Sequence, residues 1–285
     1  MSKPRRPHRR SSRLLKFLIF CALCVGFFWW SNHTLQTERF TFAASRLPEG
    51  FDGCVIVQLS DLHGAEFGEN NEKLIAQIRE MQPDYIFLTG DLQDQYRQTP
   101  RSYSVELGRT LAEIAPTYFV TGNHEWAFKD VRDLKRELRE AGVVVLTNEY
   151  MTLSRNGDSI LLAGIDDPNG FADQKTPEEL AEEVRRDFDD PFWLLLAHRN
   201  NYFEREYSYL GADLVISGHG HGGLVRLPFT DGLLSVERTL FPSYTAGFYS
   251  ANGGEVFVSR GLGNSGPSFR LFNRPEIVVL TLEKK

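Results

Sequence analysis

Cysteine is scarce in this chain, with three residues among 285. Cys21 and Cys24 fall inside an apolar run, where they behave as small hydrophobes, and Cys54 is alone in the remainder. No disulfide can form within the soluble part, so the fold must rest on its hydrophobic core. The scarcity of cysteine also argues against a soft-metal or structural-zinc site. Acidic residues are missing from the first thirty positions, and internal repeats, low-complexity tracts and a second domain boundary are missing throughout. What remains has an ordinary globular composition, 41% hydrophobic and 25% charged.

The acid-free start is strongly basic. Lys3, Arg5, Arg6, Arg9, Arg10, Arg13 and Lys16 are seven of the 32 basic residues. Phe17–Trp30 then carries no charge, and Leu14–Lys16 extend the run if Lys16 snorkels toward lipid headgroups. The result is about 17 residues, the short limit for a membrane-spanning helix. A cleaved signal peptide would place small residues after the run, whereas Trp29 and Trp30 stand there, as in an interfacial aromatic anchor. A buried core helix does not suit so basic a flank. The expected organisation is a cytoplasmic tail over 1–13, an anchor over 14–30, a juxtamembrane linker over 31–44 reaching a strand near Phe40–Phe42, and one domain over 45–285. The positive-inside rule puts the N-terminus in the cytoplasm and everything after Trp30 outside the cell membrane. Arg5-Arg6 and Arg9-Arg10 leave export of a folded domain open, although the residues after them match that signal poorly.

Without residues 1–16 the chain holds 25 basic against 38 acidic residues, a net charge of −13. So negative a domain argues against nonspecific nucleic-acid binding, and a polyanionic substrate would need positive charge from elsewhere, which metal ions supply.

Apolar runs and turn signals give an alternating order. Strands are expected at Val55–Ser60, Tyr85–Thr89, Thr117–Thr121 and Val143–Thr147, with helices at Asn71–Met81, Ser102–Ala115 and Val131–Ala141. Asn156-Gly157 reads as a hairpin between Met151–Leu153 and Ile160–Ala163. Thr176-Pro177-Glu178-Glu179 opens a helix, and Trp193–Ala197, Leu214–Ser217 and Ile277–Leu282 are further strands. The alternation followed by a strand-rich half indicates an α/β architecture with more than one sheet.

Five of these strands end in chemistry. Asp61-Leu62-His63 follows the first, Gly90-Asp91 the second with Asp94 close behind, and Gly122-Asn123-His124-Glu125 the third. His198 follows Trp193–Ala197, and Gly218-His219-Gly220-His221 follows Leu214–Ser217. In α/β sheets the crevice beyond the carboxyl ends of the strands is where sites form. Of seven histidines, His8 and His33 flank the apolar run and all five others stand at these ends. That distribution does not suit five unrelated surface or core histidines. One ion needs three or four donors, so eight groups mixing imidazole with oxygen point to two borderline-to-hard divalent ions such as Mn²⁺, Fe²⁺ or Zn²⁺. An ion pair of that kind serves in-line displacement at phosphorus.

The five blocks, in this order over residues 52–225, resemble the calcineurin-like metallophosphoesterases. The resemblance implies a four-layer α-β-β-α sandwich of two mixed sheets, here preceded by one transmembrane helix. It implies Asp61, His63 and His221 on a first ion, Asn123, His198 and His219 on a second, and Asp91 bridging both, with Mn²⁺ favoured. The nucleophile would be a hydroxide bridging the ions, and His124 would assist the leaving group, with Glu125 or Asp94 as a carboxylate that favours its imidazolium. Gly218–Pro228, Ser259–Ser265 and Arg270–Glu276 are similar to the membrane-associated bacterial phosphodiesterase branch. The implied activity is hydrolysis of a phosphodiester or pyrophosphate bond, and the anchor, by placing the site near a membrane, makes a lipid-linked or cell-envelope phosphate ester a candidate substrate. Alternatives on the same fold are a phosphomonoesterase, a nucleotide-sugar-lipid pyrophosphatase, and a non-catalytic metal-containing binding module. Leu224 stands where Gln is common, and Arg199-Asn200 where a proline-containing segment is common; both changes bear on substrate shape. Asp94 stands where purple acid phosphatases place a tyrosine, so a ferric–tyrosinate centre is not expected. Arg226, Arg260 and Arg270 are candidates to bind a substrate phosphate, or else to pair with the many acids.

Overall fold

The computed structural model describes residues 9–171, 174–227, 231–235, 238–266 and 269–285, with side chains from residue 13 onward. Most of the basic tail, including Lys3, Arg5 and Arg6, therefore lies outside the described residues. Helix α1 (Arg9–His33) takes in the whole apolar run. Its Arg13–His33 portion is long and apolar enough to cross a membrane and is largely exposed, a property that signal sequences share.

Residues 31–44 are not a linker. The helix runs on to His33, and β1 (Gln36–Ala44) follows as a nine-residue strand. It pairs in parallel with the last strand, in register from Gln36↔Glu276 to Ala44↔Lys284. Its first half is polar because it forms the edge of its sheet, where backbone pairing rather than an apolar face holds it, so only Phe40–Phe42 stood out in the sequence.

The chain then alternates through β2 (Cys54–Leu59), α2 (Glu72–Met81), β3 (Tyr85–Thr89), α3 (Arg101–Ala112), β4 (Thr117–Val120), α4 (Asn123–Ala127), α5 (Val131–Glu140) and β5 (Val144–Val145). A hairpin, β6 (Glu149–Arg155) and β7 (Asp158–Gly164), turns on Asn156-Gly157 as the dipeptide predicts. Helix α6 (Pro177–Asp187) starts with a capping box, in which Thr176 accepts the Glu179 N–H and Glu179 accepts the Thr176 N–H. It leads to β8 (Trp193–Arg199), β9 (Leu214–Gly218), the short pair β10 (Val225–Arg226) and β11 (Gly232–Leu234), the hairpin β12 (Gly247–Ala251) and β13 (Gly254–Val258), and β14 (Glu276–Lys284).

Two mixed six-stranded sheets result, ordered β1-β14-β2-β3-β4-β5 and β12-β13-β9-β8-β7-β6. The central strands β2, β3, β4, β8 and β9 run parallel to their neighbours on at least one side and are buried on both faces, which is why each reads as an unbroken apolar run. Three apolar layers separate four structural ones. Phe87, Tyr118, Leu194, Leu196, Ile216 and Phe257 fill the space between the sheets. Leu74 and Ile78 of α2, Leu107 and Leu111 of α3, and Leu134 and Leu138 of α5 cover the first sheet. Leu180 and Val184 of α6, with Phe203 and Tyr207, cover the second. This is the expected α-β-β-α sandwich.

Phe87, fully buried between the sheets, is a test of that middle layer. Phe87→Ala should cost about 3–5 kcal/mol, read as a lowered denaturation midpoint of the full-length protein in detergent; an unchanged midpoint would contradict the layering.

Candidate metal centre

The parallel strands of both sheets aim their carboxyl ends at one crevice, which gathers Asp61, His63, Asp91, Asn123, His124, His198, His219 and His221. Asp61, His63 and His221 form one group whose candidate ligand atoms lie within 4.8 Å of one another, and Asp91, His198 and His219 form another. A third such group, His63, Asp91 and His124, overlaps both. In the first, His221 Nε2 is 3.0 Å from His63 Nε2 and 3.4 Å from Asp61 Oδ1. In the second, His198 Nε2 is 3.3 Å from Asp91 Oδ2, 3.2 Å from His219 Nδ1 and 3.3 Å from Asn123 Oδ1. Asp91 Oδ2 also stands 3.7 Å from His63 Nε2, so this carboxylate lies between the groups. His219 and His221, adjacent but for Gly220, serve different groups.

The local backbone shows how the residues are aimed. In the 218–223 loop His219 and His221 hold positive φ, at 66° and 49°, as do Gly222 and Gly223, and Asp61, His63 and Asp91 do so as well, at 52°, 49° and 53°. A left-handed L-residue costs roughly 1–2 kcal/mol, so five together form a strain reservoir that the packed sheets must hold. Gly218 and Gly220 serve close approach instead: a Cβ at Gly218 would overlap the Ser60 hydroxyl, and one at Gly220 would come 2.5 Å from Asn200 Nδ2.

The donors suit divalent cations chemically. His198 Nδ1–H donates to the Thr89 carbonyl at 2.7 Å, which fixes the tautomer that directs Nε2 at the centre. Burial holds His63 neutral, with its pKa lowered to about 3, and pushes His221 in the same direction together with the Arg270 charge. Burial also opposes charge on His198, but the Asp91 carboxylate outweighs it and raises that pKa to about 10. Asp91 in turn falls well below the usual carboxylate range, because contact with His198, and then His63, overcomes its own burial. A ligand must be deprotonated, so a cation here would displace the proton held between His198 and Asp91.

His124 lies at the edge of the centre, on α4. Its Nδ1 accepts the Gln95 N–H at 3.1 Å, its own N–H donates to Asp91 Oδ1 at 2.8 Å, and its Nε2 is 3.2 Å from Ser265 Oγ. Asp94 Oδ1 is 3.6 Å from His124 Nδ1, close enough for charge and beyond a hydrogen bond. Glu125 does not approach the imidazole's working edge; its carboxylate accepts the N–H groups of Gly122, Asp91 and Gln93 at 2.7, 2.9 and 3.1 Å. It clamps the Asp91 turn to α4. Burial and the Asp91 charge raise its pKa to about 7 against those three bonds.

The three candidate phosphate-binding arginines are structural. Arg260 pairs with Glu276 and Glu38, Arg270 is wholly buried and donates to the carbonyls of Gly263 and Arg260, and Arg226 donates to the Gly222 carbonyl. Desolvation would have destabilised such guanidinium groups without these partners. The centre opens instead into a cavity of about 840 Å³ lined by Asp91, Asn123, His124, His219 and His221 together with Gln95, Tyr96, Leu224, Leu234, Arg238, Ser265 and Phe269. Arg238 and Phe269 come from loops without periodicity or a local motif, so no sequence signal distinguished them, whereas Ser265 closes the Ser259–Ser265 segment, whose resemblance assigns the serine no role. Leu224, singled out by its departure from a common Gln, does line this cavity.

The fold and the site together define a two-sheet α/β protein with a candidate binuclear metal centre at its strand ends. A family model for calcineurin-like phosphoesterases matches residues 54–223. An uncharacterized metallophosphoesterase of Bacillus subtilis (strain 168), YkuE, is 31% identical over 261 residues, covering 88% of this chain and 86% of its own. The transmembrane protein with metallophosphoesterase domain of Bos taurus is 32% identical over 250 residues, which are 84% of this chain and 55% of that one. Among solved structures, the NAD nucleotidase of Haemophilus influenzae superposes with a TM-score of 0.50 at 17% identity, a likeness of fold over 72% of this chain and 44% of that one. The chain belongs to the calcineurin-like phosphoesterase family, which implies a metal-dependent phosphoester hydrolase.

Two outcomes follow from the geometry. Gly218→Ala should weaken Mn²⁺ binding by at least about tenfold by displacing Asp61, measured by metal titration of the purified full-length protein. In the chelator-treated protein, His63 and His221 bind protons in the unfolded chain before the folded one, so their contribution is present above about pH 6.5 and is lost as pH falls. His198 acts oppositely, contributing below about pH 6.5 and losing that contribution as pH rises through about 10. Urea unfolding at about pH 7 and about pH 4 should give a lower midpoint at the acid pH; equal midpoints would contradict the buried neutral histidines.

Proposed function

We propose that this chain is a membrane-anchored dimetal phosphoesterase that hydrolyses a phosphodiester or pyrophosphate bond. The supporting observation is the pair of histidine–carboxylate groups, Asp61, His63 and His221 beside Asp91, His198 and His219. Asp91 Oδ2 reaches within 3.7 Å of His63 Nε2, and Asp91, His219 and His221 line one cavity. Asp61, His63 and His221 would hold the first ion, and Asn123, His198 and His219 the second, with Asp91 on both. The mixed nitrogen and oxygen donors favour Mn²⁺ and also suit Fe²⁺ or Zn²⁺. The ions would supply Lewis acidity, meaning a water ionised near neutral pH and a charge clamp on the phosphoryl oxygens.

The chain's own residues do the rest. His124 Nδ1 accepts from the Gln95 amide, so the neutral ring carries its proton on Nε2, the nitrogen on the side of the cavity-lining Ser265. From there it can meet the leaving oxygen. Arg238 is, among the described residues, the arginine that lines this cavity, and it replaces Arg226, Arg260 and Arg270 as the candidate contact for a substrate phosphate. Tyr96, Leu224, Leu234 and Phe269 give the cavity an apolar side, and Phe269 packs on Phe28 of α1 with ring centroids 5.9 Å apart. That continuity supports a lipid-linked or envelope-derived substrate and a catalytic domain lying against the membrane, and the basic flank of the apolar run favours the outer face. An outside-facing domain would not normally meet cytoplasmic nucleotide-sugar lipids, which favours a general phosphodiesterase.

In detergent with Mn²⁺, the full-length protein should hydrolyse bis(4-nitrophenyl) phosphate, and Asp91→Ala should lower kcat/KM by at least about a thousandfold. Full activity in that variant would sink the reading, and an inert wild type with every phosphate ester tried would favour a binding module. His219→Ala and His221→Ala should each lose about one of two bound ions by elemental analysis. Protease added to intact cells should digest the domain; protection would overturn the outside placement.

A further inference from the structure

The residues 259–266 and 269–274 lie outside the part matched by the family model, yet they touch three sides of the centre. Gly261 passes so close to Asp61 that a Cβ would come 2.7 Å from its Cβ, and a Cβ at Gly263 would overlap the Leu62 carbonyl. Ser265 Oγ meets His124 Nε2 at 3.2 Å, and the Gly266 N–H donates to Asp94 Oδ2 at 2.9 Å. The buried Arg270 donates to the Gly263 carbonyl at 2.7 Å, with the same Nη2 3.3 Å from His221 Nδ1. Asn273 donates to the His221 carbonyl at 2.6 Å.

The end of α1 grips this segment from its other side. Asn32 Oδ1 accepts the Arg270 N–H at 2.8 Å and Asn264 Nδ2 at 3.2 Å, and Asn32 Nδ2 donates to the Arg270 carbonyl at 2.9 Å. One side-chain amide thus satisfies both polar groups of one residue's backbone, as a neighbouring strand would. Phe27 packs on Phe272 at 4.9 Å and Phe28 on Phe269 at 5.9 Å between ring centroids, and the Arg274 guanidinium lies 4.6 Å over Trp30.

We infer that the end of α1 is a working part of the catalytic cavity, with Asn32 as the positioning residue that holds Ser265 against His124 and Arg270 against His221. The inference rests on the dimetal reading above. Asn32 touches no ligand and acts through the side chain of Asn264 and the backbone of Arg270. Releasing it lets Ser265 drift from His124, and displacement of about 1 Å at a reacting group can cost up to about a hundredfold in rate.

The test uses the full-length protein in detergent with Mn²⁺ and the aryl phosphodiester. Asn32→Leu keeps the side chain's size and removes its donor and acceptor. It should lower kcat by about tenfold or more, leaving KM and the number of bound Mn²⁺ ions within about twofold. Amide hydrogen exchange should rise in 261–266 and 269–274 while β2 and β3 stay protected. Ser265→Ala should lower kcat comparably, and the double variant should lose no more than the larger single loss, because both break one linkage. Asn32→Asp keeps the accepting oxygen and should recover part of kcat; it also carries the test if Asn32→Leu does not fold. Thr34→Val removes one partner of Arg274 and should retain wild-type kcat. Wild-type kcat in Asn32→Leu, an equal loss in Thr34→Val, or multiplying losses in the double variant would each overturn the inference. A metal-independent Asp91→Ala activity would instead remove the reading on which it rests.

Discussion

Asp91 is the constraint on which the centre depends. Its carboxylate lies between two histidine groups, so its position decides whether they face one point or two separate ones. A buried anion needs fixed partners, and the fold supplies them from several elements. One oxygen accepts the His124 N–H, the other approaches His63 and His198, and Glu125 holds the Asp91 N–H from α4. Gly122 has no side chain because Asp91 Oδ1 occupies the place a Cβ would need. The turn between Gly122 and Glu125 therefore exists as much to seat Asp91 as to present Asn123 and His124.

Two sheets are needed for this arrangement. Asp61, Asp91 and Asn123 follow β2, β3 and β4 of the first sheet, whereas His198, His219 and His221 come from β8 and the loop after β9 of the second. The apolar layer between the sheets fixes the distance between these two sets of donors. It also holds the left-handed backbone at Asp61, His63, Asp91, His219 and His221, whose cost is met by packing far larger than itself. The donors are thus pre-aimed, which spares a bound cation the reorganisation it would otherwise impose.

The C-terminal segment closes the centre on its third side and joins it to α1. Between them, Gly263, Arg270 and Asn273 form a buried hydrogen-bonded shell around the 218–223 loop, and Asn32 continues that shell into the apolar helix. The catalytic cavity and the helix consequently share a wall at Phe269. A tether would need only a flexible connection, whereas here just Thr34 and Leu35 separate the helix from β1 and the helix end is hydrogen-bonded to the domain.

The sequence by itself determined the alternation of elements and most of the donor set, because buried parallel strands must be apolar throughout and their ends are the places where polar residues then stand out. Asp61, His63, Asp91, Asn123, His124, His198, His219 and His221 were visible in that way, and the structure brings all eight to one crevice. Edge strand β1 was legible only over Phe40–Phe42, since backbone pairing leaves little mark on side-chain pattern. The roles of charged residues beyond the blocks were decided by tertiary structure alone. Arg260 and Arg270 became buried struts and Glu125 a backbone clamp, while Arg238 and Ser265 reached the cavity from loops. An arginine or a serine reads the same in sequence whether it faces a carbonyl, a carboxylate or a substrate. Only the packing of distant segments settles which partner it meets.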